Sequence, residues 1–560
     1  MGGINGKSQN YPTSKIDIIN NIREKTPKVI NIYGKNKEIE KIELTNQKII
    51  PMCLELYEKL SAIPDVPKKI SDKKKYSSTI KSFKKKFVVM PKFTIEELNK
   101  SLLETVETPI IKTELTIYPV FPPMGPMIHT PISIQEFIDA FKQIDNKRDI
   151  LGINKKIMDC LSEYLRARFV KVYNETINDI QLTKESSIAR GFFVYKESKK
   201  GKTDQISSFR PVMEIPNIIN HIHRILNVRI SNHFLSNNYI DTNIQKGCIS
   251  NQKNSIFEQI YKVKSVIKHA NKHKKSCVIL FLDISNAFGN LCLDKLYKIL
   301  ELHYLTPEII NYIRAFYEGL EYYFSIPGNK TTDIQRWKEG LTQGSSLSPL
   351  LFVIALNYVL SNLDKNNKNE HGYQIKGTKI LLTAYVDDIC IICKDIASAE
   401  KVLGQFIEKS LELGLPISKE KSMAMVINGD LGVKDIGGLA IVNEYKYLGE
   451  TINNQASNTV YFDIFFKSVY RRLKIIENKK CDEETKKIMI SKMIIPSLKR
   501  RLLLMYDLSI GQKKKISSSV TPFLEKFELS CELFADVTEI IKSSKDIVIQ
   551  KIGIDKSINK

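Results

Sequence analysis

Three aspartates lie where apolar segments of the sequence end. Asp283 follows the continuous apolar run CVILFL (277–282), and Asp387 with Asp388 interrupts two further apolar segments. Carboxylates so close together repel one another near a dry core unless a cation lies between them. If the strand and the turn are neighbours in one sheet, the three carboxylates meet at its edge and form a ligand set for Mg²⁺. Two such ions can activate a hydroxyl group and stabilise a leaving pyrophosphate, whereas an ordinary aspartate-rich turn is the structural alternative.

The surrounding elements predict an α+β layer that would bring these aspartates together. The predicted order is a strand at 277–282, helices at 307–320 and 350–363, strands at 379–385 and 389–393, a helix at 399–411 and a strand at 423–427. This order fits a split βαβ sheet. Upstream, Ser133 and Glu136 have the spacing of a helix-capping box, GFFVYK (191–196) predicts a strand, and a long helix is predicted after Pro216.

The chain is strongly basic. Among its 560 residues, 85 Lys and Arg stand against 62 Asp and Glu, which gives a formal net charge of +23. Such a charge costs self-repulsion unless a polyanion is bound, so nucleic acid is the first expected partner and an anionic membrane surface the second. With 42% hydrophobic residues the chain can bury a large core, which excludes wholesale disorder.

Composition also argues against several other classes of protein. The longest apolar run, 350–356, is far too short to cross a membrane, and the N-terminal sequence MGGINGKSQN lacks the apolar segment of a signal peptide. The dispersed cysteines favour a reducing, intracellular compartment over a disulfide scaffold. Cys390 and Cys393 form a Cys-x-x-Cys pair, but no second pair stands at zinc spacing, so we interpret them as buried strand residues.

Two segments concentrate the positive charge. Residues 64–87 form a basic linker with interleaved aromatic residues, which is either a solvated tether or an arm that tracks nucleic acid. Residues 451–515 contain fifteen Lys and Arg against six Asp and Glu. Within them, residues 483–506 alternate apolar and basic side chains at helical spacing. That helix is predicted either to face the phosphates of a duplex or to be an ordinary solvated amphipathic helix.

Five segments resemble, in order and spacing, motifs A to E of reverse transcriptases: FLDISNAF (281–288), GLTQGSSLSPLLF (340–352), AYVDDI (384–389), GLPISKEKS (414–422) and YKYLG (445–449). Upstream, FVYKES (193–198) and SFRPV (208–212) resemble the fingers motif that holds the incoming triphosphate, and NIQKGCI (243–249) fits the intervening fingers segment. The forms of motifs B and E, together with TPISIQEF (130–137), point to the reverse transcriptases of non-LTR retrotransposons.

The resemblance implies a right-hand polymerase with fingers, a ferredoxin-like palm and a helical thumb. The implied divisions are an N-terminal extension with the basic linker (1–130), fingers and palm (131–450), a thumb (451–515) and a C-terminal extension (516–560). One departure concerns motif C, where Val386 stands in place of the alanine of many non-LTR elements.

The resemblance also assigns catalytic roles. Asp283 and Asp387 match aspartates that bind both metal ions, Asp388 matches the second aspartate of motif C, and Ile284 would lend its backbone carbonyl to a metal. The implied cofactor is a pair of Mg²⁺ ions, with Mn²⁺ as a possible substitute. Lys421 matches the motif D lysine, a candidate general acid toward pyrophosphate.

Nucleotide and primer contacts are implied in the same way. Lys196 and Arg210 match the fingers cations that grip the triphosphate, and arginine suits bidentate phosphate binding. Phe288 matches the residue that excludes a 2′-hydroxyl, with plain core packing as its alternative. Gln343 and Gly344 match the motif B pair that contacts nucleotide and template. Three further residues match the primer grip: Tyr447, Leu448 and Gly449.

The implied function is an RNA-directed DNA polymerase that adds deoxynucleotides to a primer 3′-hydroxyl. Its expected partners are an RNA template, a DNA primer or product and dNTPs, with no membrane, and the sequence identifies no protein partner. A group II intron-type maturase and a non-catalytic RNA-binding relic are the alternatives. Residues 511–560 lack the acidic and Cys/His clusters of a nuclease, and the segment before the fingers is short, so we expect no endonuclease. The expected location is intracellular, and nuclear if the host is a eukaryote.

Overall fold

The structure is a computed structural model of the 560-residue chain. It describes residues 93–104, most of 113–141 and of 149–196, then 205–249, 255–326, 330–429, 432–457, 459–498 and 509–527, together with two short strands at 30–33 and 39–42. The basic linker at 64–87 and most of the predicted N-terminal extension lie outside the described residues.

Strands and helices are interspersed along the described residues. The strands are β1 Ile30–Tyr33, β2 Ile39–Ile42, β3 Ile188–Tyr195, β4 Phe209–Glu214, β5 Cys277–Leu282, β6 Glu321–Ile326, β7 Lys330–Thr331, β8 Gln335–Arg336, β9 Tyr373–Ile375, β10 Thr378–Ile380, β11 Leu382–Tyr385, β12 Asp388–Cys393, β13 Met423–Ile427, β14 Asp435–Ile436, β15 Leu439–Ile441, β16 Glu444–Tyr447 and β17 Glu450–Asn453. The helices are α1 Ile95–Glu104, α2 Ile134–Phe141, α3 Glu163–Asn178, α4 Asn217–Ser236, α5 Ser255–Lys272, α6 Ala287–Asn290, α7 Leu293–Leu302, α8 Pro307–Gly319, α9 Ser348–His371, α10 Ile396–Glu412, α11 Thr459–Glu477, α12 Glu483–Met489 and α13 Ile510–Lys526.

The central sheet has the strand order β11-β12-β5-β13-β15-β14. Within β11-β12-β5-β13, each strand is antiparallel to its neighbour, and helix α10 connects β12 to β13. This arrangement is the predicted split βαβ sheet, so the α+β class and the ferredoxin-like palm are confirmed.

Both faces of this sheet are covered, which explains why β5 is apolar without interruption. Alternate residues of β5 enter two different hydrophobic cores: Val278, Leu280 and Leu282 join the larger core, whereas Cys277, Ile279 and Phe281 join the smaller one. A strand buried on both faces cannot alternate apolar with polar residues. Cys390 and Cys393 of β12 are also fully buried, as predicted.

Two predicted element boundaries in this region are wrong. The strand predicted at 379–385 is divided, because Thr378–Ile380 pairs with β9 in a separate hairpin and only Leu382–Tyr385 joins the central sheet. The helix predicted to end at 363 continues to His371 through a polar sequence. Tertiary contacts stabilise these additional turns, since the buried Asn367 amide donates to Gln405 Oε1 at 2.7 Å.

A second sheet, with the order β4-β3-β6-β7 and with β8 paired to β6, lies in the predicted fingers. Strands β3 and β4 form an antiparallel hairpin in which Val194 is opposite Arg210. The predicted capping box is confirmed: Glu136 N donates to Ser133 Oγ at 3.2 Å, and Ser133 N donates to Glu136 Oε2 at 2.9 Å. Within the described residues, no helix has both the length and the apolar character needed to span a membrane.

The C-terminal helices α11, α12 and α13 form a unit with its own hydrophobic core. Phe462, Leu473, Val520 and Phe523 are among the residues buried there. The boundary predicted at residue 515 falls inside α13, so this unit extends to at least Phe527, which is also buried in its core. The basic run before residue 515 gave no indication that apolar core positions follow it.

A buried ion pair joins α5 to the β16–β17 hairpin. Lys264 Nζ lies 3.8 Å from Glu450 Oε1, and the two side chains are 1% and 2% exposed. Breaking such a pair leaves one buried charge uncompensated, so Lys264→Met should lower the free energy of unfolding by about 3 kcal/mol. Urea denaturation measures this loss.

The double variant Lys264→Met, Glu450→Gln is the control for that change. It removes both charges, so it should recover most of the lost stability. Equal instability of the single and double variants would show that packing, and not the uncompensated charge, is what the substitution disturbs.

Candidate active site

Two of the three aspartates lie opposite each other at one edge of the central sheet. Leu282 of β5 is paired with Ile389 of β12 in an antiparallel register. Asp283 is the residue after Leu282, and Asp388 is the residue before Ile389, so this register places them at facing positions. Asp387 lies in the turn that connects β11 to β12. The sheet therefore brings together the three carboxylates that the sequence separates by about 100 residues.

The turn that carries Asp387 has a strained backbone. Tyr385 is paired with Asp388, which leaves Val386 and Asp387 as a two-residue hairpin turn. Val386 has a φ of 58°, in the left-handed region that β-branched residues rarely adopt. Such a conformation costs on the order of 1–3 kcal/mol and persists only where the surrounding structure enforces it, most often at functional sites.

Burial and neighbouring negative charge raise the pKa of two of the aspartates, Asp387 and Asp388. Burial raises the pKa of Asp387 and the charge of Asp283 adds to this, while Arg210 and Lys421 act in the opposite direction. Loss of hydration and the charges of Asp387 and Asp283 raise the pKa of Asp388 to about 6. The cluster thus carries more negative charge than its surroundings compensate, and a bound cation would relieve the repulsion.

Lys421 supplies one positive charge to this cluster. Its Nζ lies 3.0 Å from Asp283 Oδ2. The loop that carries it is fixed against the end of β5, because Asp283 N donates to Ser422 Oγ at 3.0 Å and Ser418 N donates to Asp283 O at 2.8 Å. The loop predicted as motif D is therefore held directly beside motif A.

The donor chemistry of the site fits a divalent cation, although the side chains are not closed around one point. Among the described residues, no group of three or more His, Cys, Asp and Glu side chains has the arrangement that holds a metal ion. The carboxylates of Asp283, Asp387 and Asp388 are hard oxygen donors of the kind Mg²⁺ prefers. In this structure the ammonium of Lys421 occupies the position of a cation at Asp283. Ile284 follows Asp283, and its backbone is bridged to Ile417.

Two cations of the β3–β4 hairpin lie on the fingers side of the site. The charge of Arg210 acts on Asp387, which places its exposed guanidinium near the carboxylates. Lys196 follows β3, and its Nζ donates to Ser207 O at 2.9 Å. The charge of Arg210 is thus close enough to act on Asp387, whereas Lys196 is held along its own hairpin.

The loop predicted as motif B approaches β4 very closely. Met213 N donates to Gln343 O at 2.7 Å. Gly344 has a φ of 147°, and a Cβ atom there would lie 1.8 Å from Met213 O. Glycine at this position is a steric requirement, because any side chain would displace the loop from the fingers strand.

Helix α4 supplies residues to this site that sequence reasoning missed. Asn220 Oδ1 accepts from Ser346 N at 2.8 Å, and Asn227 Nδ2 donates to Ser346 O at 2.9 Å. His223 Nδ1 lies 2.8 Å from Ser345 Oγ, and burial lowers the pKa of His223 to about 3. The available signal was the helical spacing of these three polar residues, which places them on one face of α4.

Phe288 lies in the short helix α6 that follows motif A. Its ring is partly exposed and stacks on Phe352 with a centroid distance of 5.0 Å and an interplanar angle of 11°. Its carbonyl accepts from Leu341 N at 2.7 Å, which ties α6 to the motif B loop. One face of the ring is thus supported by the core.

The β16–β17 hairpin carries the predicted primer grip. Tyr447 is 2% exposed and packs against Phe281, so its ring belongs to the core. Leu448 and Gly449 form the tip of the hairpin, with φ values of 49° and 81°. Tyr445 stacks on Phe281 at 4.5 Å, and its hydroxyl donates to Lys421 O at 3.3 Å. Of the three predicted primer-grip residues, Leu448 and Gly449 are therefore the two that can contact another molecule.

Residues 198–452 match the family model described as reverse transcriptase (RNA-dependent DNA polymerase). This range contains the three aspartates, both sides of the motif B contact and the primer-grip hairpin. The chain therefore carries a reverse transcriptase domain, and the predicted resemblance is confirmed.

The similar curated proteins are retrotransposon polymerases. The Pol polyprotein of the type-2 element R2DM from Drosophila melanogaster is 26% identical over 216 residues, which cover 35% of this chain and 19% of that protein. The Pol polyprotein of the type-1 element R2 from Nasonia vitripennis is 26% identical over 281 residues, 48% of this chain and 26% of that protein. The polymerase of the mobile element jockey from Drosophila melanogaster is 24% identical and is covered over 28% of its length. The alignments thus span about a fifth to a quarter of these relatives.

Among solved structures, apo telomerase from Candida tropicalis is similar at 14% identity with a TM-score of 0.37, over 66% of each chain. Telomerase from the same organism in complex with a TWJ fragment of telomeric RNA is similar at 13% identity with a TM-score of 0.38, over 97% of this chain and 88% of that chain.

Proposed function

We propose that this protein is an RNA-directed DNA polymerase of the non-LTR retrotransposon type. The observation that carries the proposal is the meeting of Asp283, Asp387 and Asp388 at one sheet edge, inside a reverse transcriptase domain. Arg210 approaches the same edge from the fingers, and Lys421 approaches it from the motif D loop.

The three aspartates bind the catalytic ions in this proposal. Asp283 and Asp387 would hold two Mg²⁺ ions, for which Mn²⁺ could substitute, and Asp388 and the carbonyl of Ile284 would be further ligands. Bound Mg²⁺ would activate the primer hydroxyl and stabilise the leaving pyrophosphate. Lys421 would be the group that protonates the pyrophosphate, because its exposed side chain is held at Asp283 only by a surface ion pair worth little energy.

The incoming nucleotide is bound between the fingers and the palm. Arg210 binds the triphosphate in bidentate fashion, and Lys196 adds a second cation when it releases the carbonyl of Ser207. Phe288 presents the exposed edge of its ring to the sugar and so selects deoxynucleotides. Gln343 and Gly344 contact the nascent base pair from the motif B loop.

The template–primer duplex extends from this site toward the C-terminal helical unit. The hairpin tip at Leu448 and Gly449 contacts the primer backbone, since Tyr447 is buried beneath it. The basic helices of residues 459–527 bind the duplex phosphates as a thumb. Nucleotide addition at this site would require an existing 3′-hydroxyl on the primer and no nuclease.

Primer extension tests the proposal. The purified full chain should extend a DNA primer on an RNA template with dNTPs and Mg²⁺, and a chelator should abolish this activity. Binding of the template–primer without extension in Mg²⁺ or Mn²⁺ would overturn the proposal and favour the RNA-binding relic.

Gly344→Ala should strongly reduce nucleotide addition. The added Cβ atom would lie 1.8 Å from Met213 O, so the motif B loop must move. A displacement of about 1 Å at a reacting centre can cost ~10²-fold in rate, and we expect a loss of that size in single-turnover extension.

Gly404→Ala is the matched control for that variant. A Cβ atom at Gly404 of α10 would meet nothing within 4 Å. Helical glycine is about 1 kcal/mol less favourable than alanine, so Gly404→Ala should be active and slightly more stable. Full activity of Gly344→Ala would show that the loop tolerates displacement and would remove the proposed role of this contact.

A further inference from the structure

A buried glutamine, Gln245, is hydrogen bonded to the turn that carries Asp387. Its Oε1 accepts from Val386 N at 2.8 Å, and its Nε2 donates to Val386 O at 3.1 Å. The same Oε1 accepts from Gly247 N at 3.0 Å. Gln245 is 0% exposed, so these bonds form without competition from water. One side chain thus satisfies both backbone groups of the strained residue in the turn.

The segment around Gln245 is itself fixed to the same hairpin. Residues 244–246 run parallel to β11, where Ala384 N donates to Ile244 O at 2.8 Å and Lys246 N donates to Ala384 O at 3.0 Å. A second buried amide, Gln259 of α5, donates from Nε2 to both Ile244 O and Ala384 O at 2.8 and 3.0 Å. The backbone around Gln245 is therefore held both by its pairing with β11 and by the side chain of Gln259.

The approach between this segment and the turn is unusually close. A Cβ atom added at Gly247 would lie 2.4 Å from Val386 Cγ2 and 2.5 Å from Val386 N. The next residue, Cys248, is close enough to Asp387 for the aspartate charge to raise the pKa of the thiol, in addition to the effect of burial. Residues 244–248 thus lie along the turn as far as the carboxylate of Asp387.

We propose that Gln245 is a positioning residue, which holds the Val386–Asp387 turn in its strained conformation and so fixes the direction of the Asp387 carboxylate. The role in catalysis rests on the function proposed above, whereas the effect on the turn does not. A left-handed valine relaxes readily to a commoner conformation unless its backbone groups are bound. Gln245 binds both of them from outside the hairpin, and a relaxed turn would rotate Asp387 away from Asp283.

Gln245→Met tests this role, because methionine has a similar size and shape but forms none of the three hydrogen bonds. The matched control is Asn367→Leu, which removes another buried side-chain amide far along α9 from the carboxylates. Two measurements are made on each full-length variant. Hydrogen exchange followed by mass spectrometry reports on the peptide that contains Val386, and steady-state primer extension gives kcat and the KM for template–primer.

We expect Gln245→Met to accelerate exchange at Val386 while the strand at 389–393 stays protected. We also expect kcat to fall by at least about tenfold, with KM within about twofold, since misplacing a reacting group by 1 Å can cost ~10²-fold. Asn367→Leu should leave both readouts as in the native protein. Unchanged hydrogen exchange at Val386 in Gln245→Met would overturn the proposal. It would also be overturned if, in both variants, kcat fell only in proportion to the melting temperature. If the native protein extends no primer, the proposed function fails, and the exchange comparison still decides whether Gln245 holds the turn.

Discussion

Asp387→Asn should lower the rate of primer extension by at least about 10³-fold, because it removes one charge from the group that would stabilise the transition state. The carboxylate lies in the turn between β11 and β12, beside Asp283, and asparagine offers a single neutral oxygen in its place. Single-turnover extension on an RNA template measures this loss directly.

The same variant should fold at least as stably as the native protein. Burial and the neighbouring Asp283 raise the pKa of Asp387, which means that its charge disfavours the folded state at neutral pH. Neutralising the residue removes that cost, so the melting temperature without metal should stay equal or rise. Loss of activity together with retained stability distinguishes a catalytic residue from a structural one.

Asp395→Asn is the matched control for Asp387→Asn. Asp395 follows β12 and caps α10 by accepting from Ser398 N at 2.8 Å, and asparagine caps helices equally well. This variant should retain full activity although it loses the same charge. Equal extension by Asp387→Asn and the native protein would contradict the proposed metal site and would indicate a contaminating polymerase.

Phe288→Ala should weaken discrimination against ribonucleotides by about 10- to 100-fold, the range expected when a side chain that shapes a substrate pocket is truncated. The ring is supported on one face by Phe352 and is partly exposed, as a gate beside the sugar requires. The measurement is the ratio of kcat/KM for a dNTP to that for the matching rNTP.

Phe288→Tyr is the control, because tyrosine retains the ring and should keep the native ratio. A native ratio in Phe288→Ala as well would mean that Phe288 serves only to pack against Phe352. A lower melting temperature alone, with the discrimination unchanged, would support that second interpretation.

The sequence by itself determined the local features of this protein. The continuous apolar residues of β5 indicated a strand, and the two apolar segments around Asp387 and Asp388 indicated a hairpin. Ser133 and Glu136 indicated a helix start. Such features follow from spacing within a few residues, and together they were sufficient to predict a split βαβ sheet in which the three aspartates meet if the strand and the hairpin are neighbours.

Only the tertiary structure decided which distant groups act on those aspartates. The ion pair of Lys421 with Asp283 joins residues 138 positions apart, and Gln245 binds the Val386 turn across 141 positions. The resemblance to motif D identified Lys421 but not its contact with Asp283, and the sequence assigned no role to Gln245. For the same reason, the sequence did not predict the polar end of α9 or the apolar end of α13. The end of α9 stays helical because of a contact with α10, and the end of α13 is buried because it packs in the core of the C-terminal unit. The spacing of apolar and polar residues within a segment determines which side chains are buried, whereas packing between segments determines which residues those side chains contact.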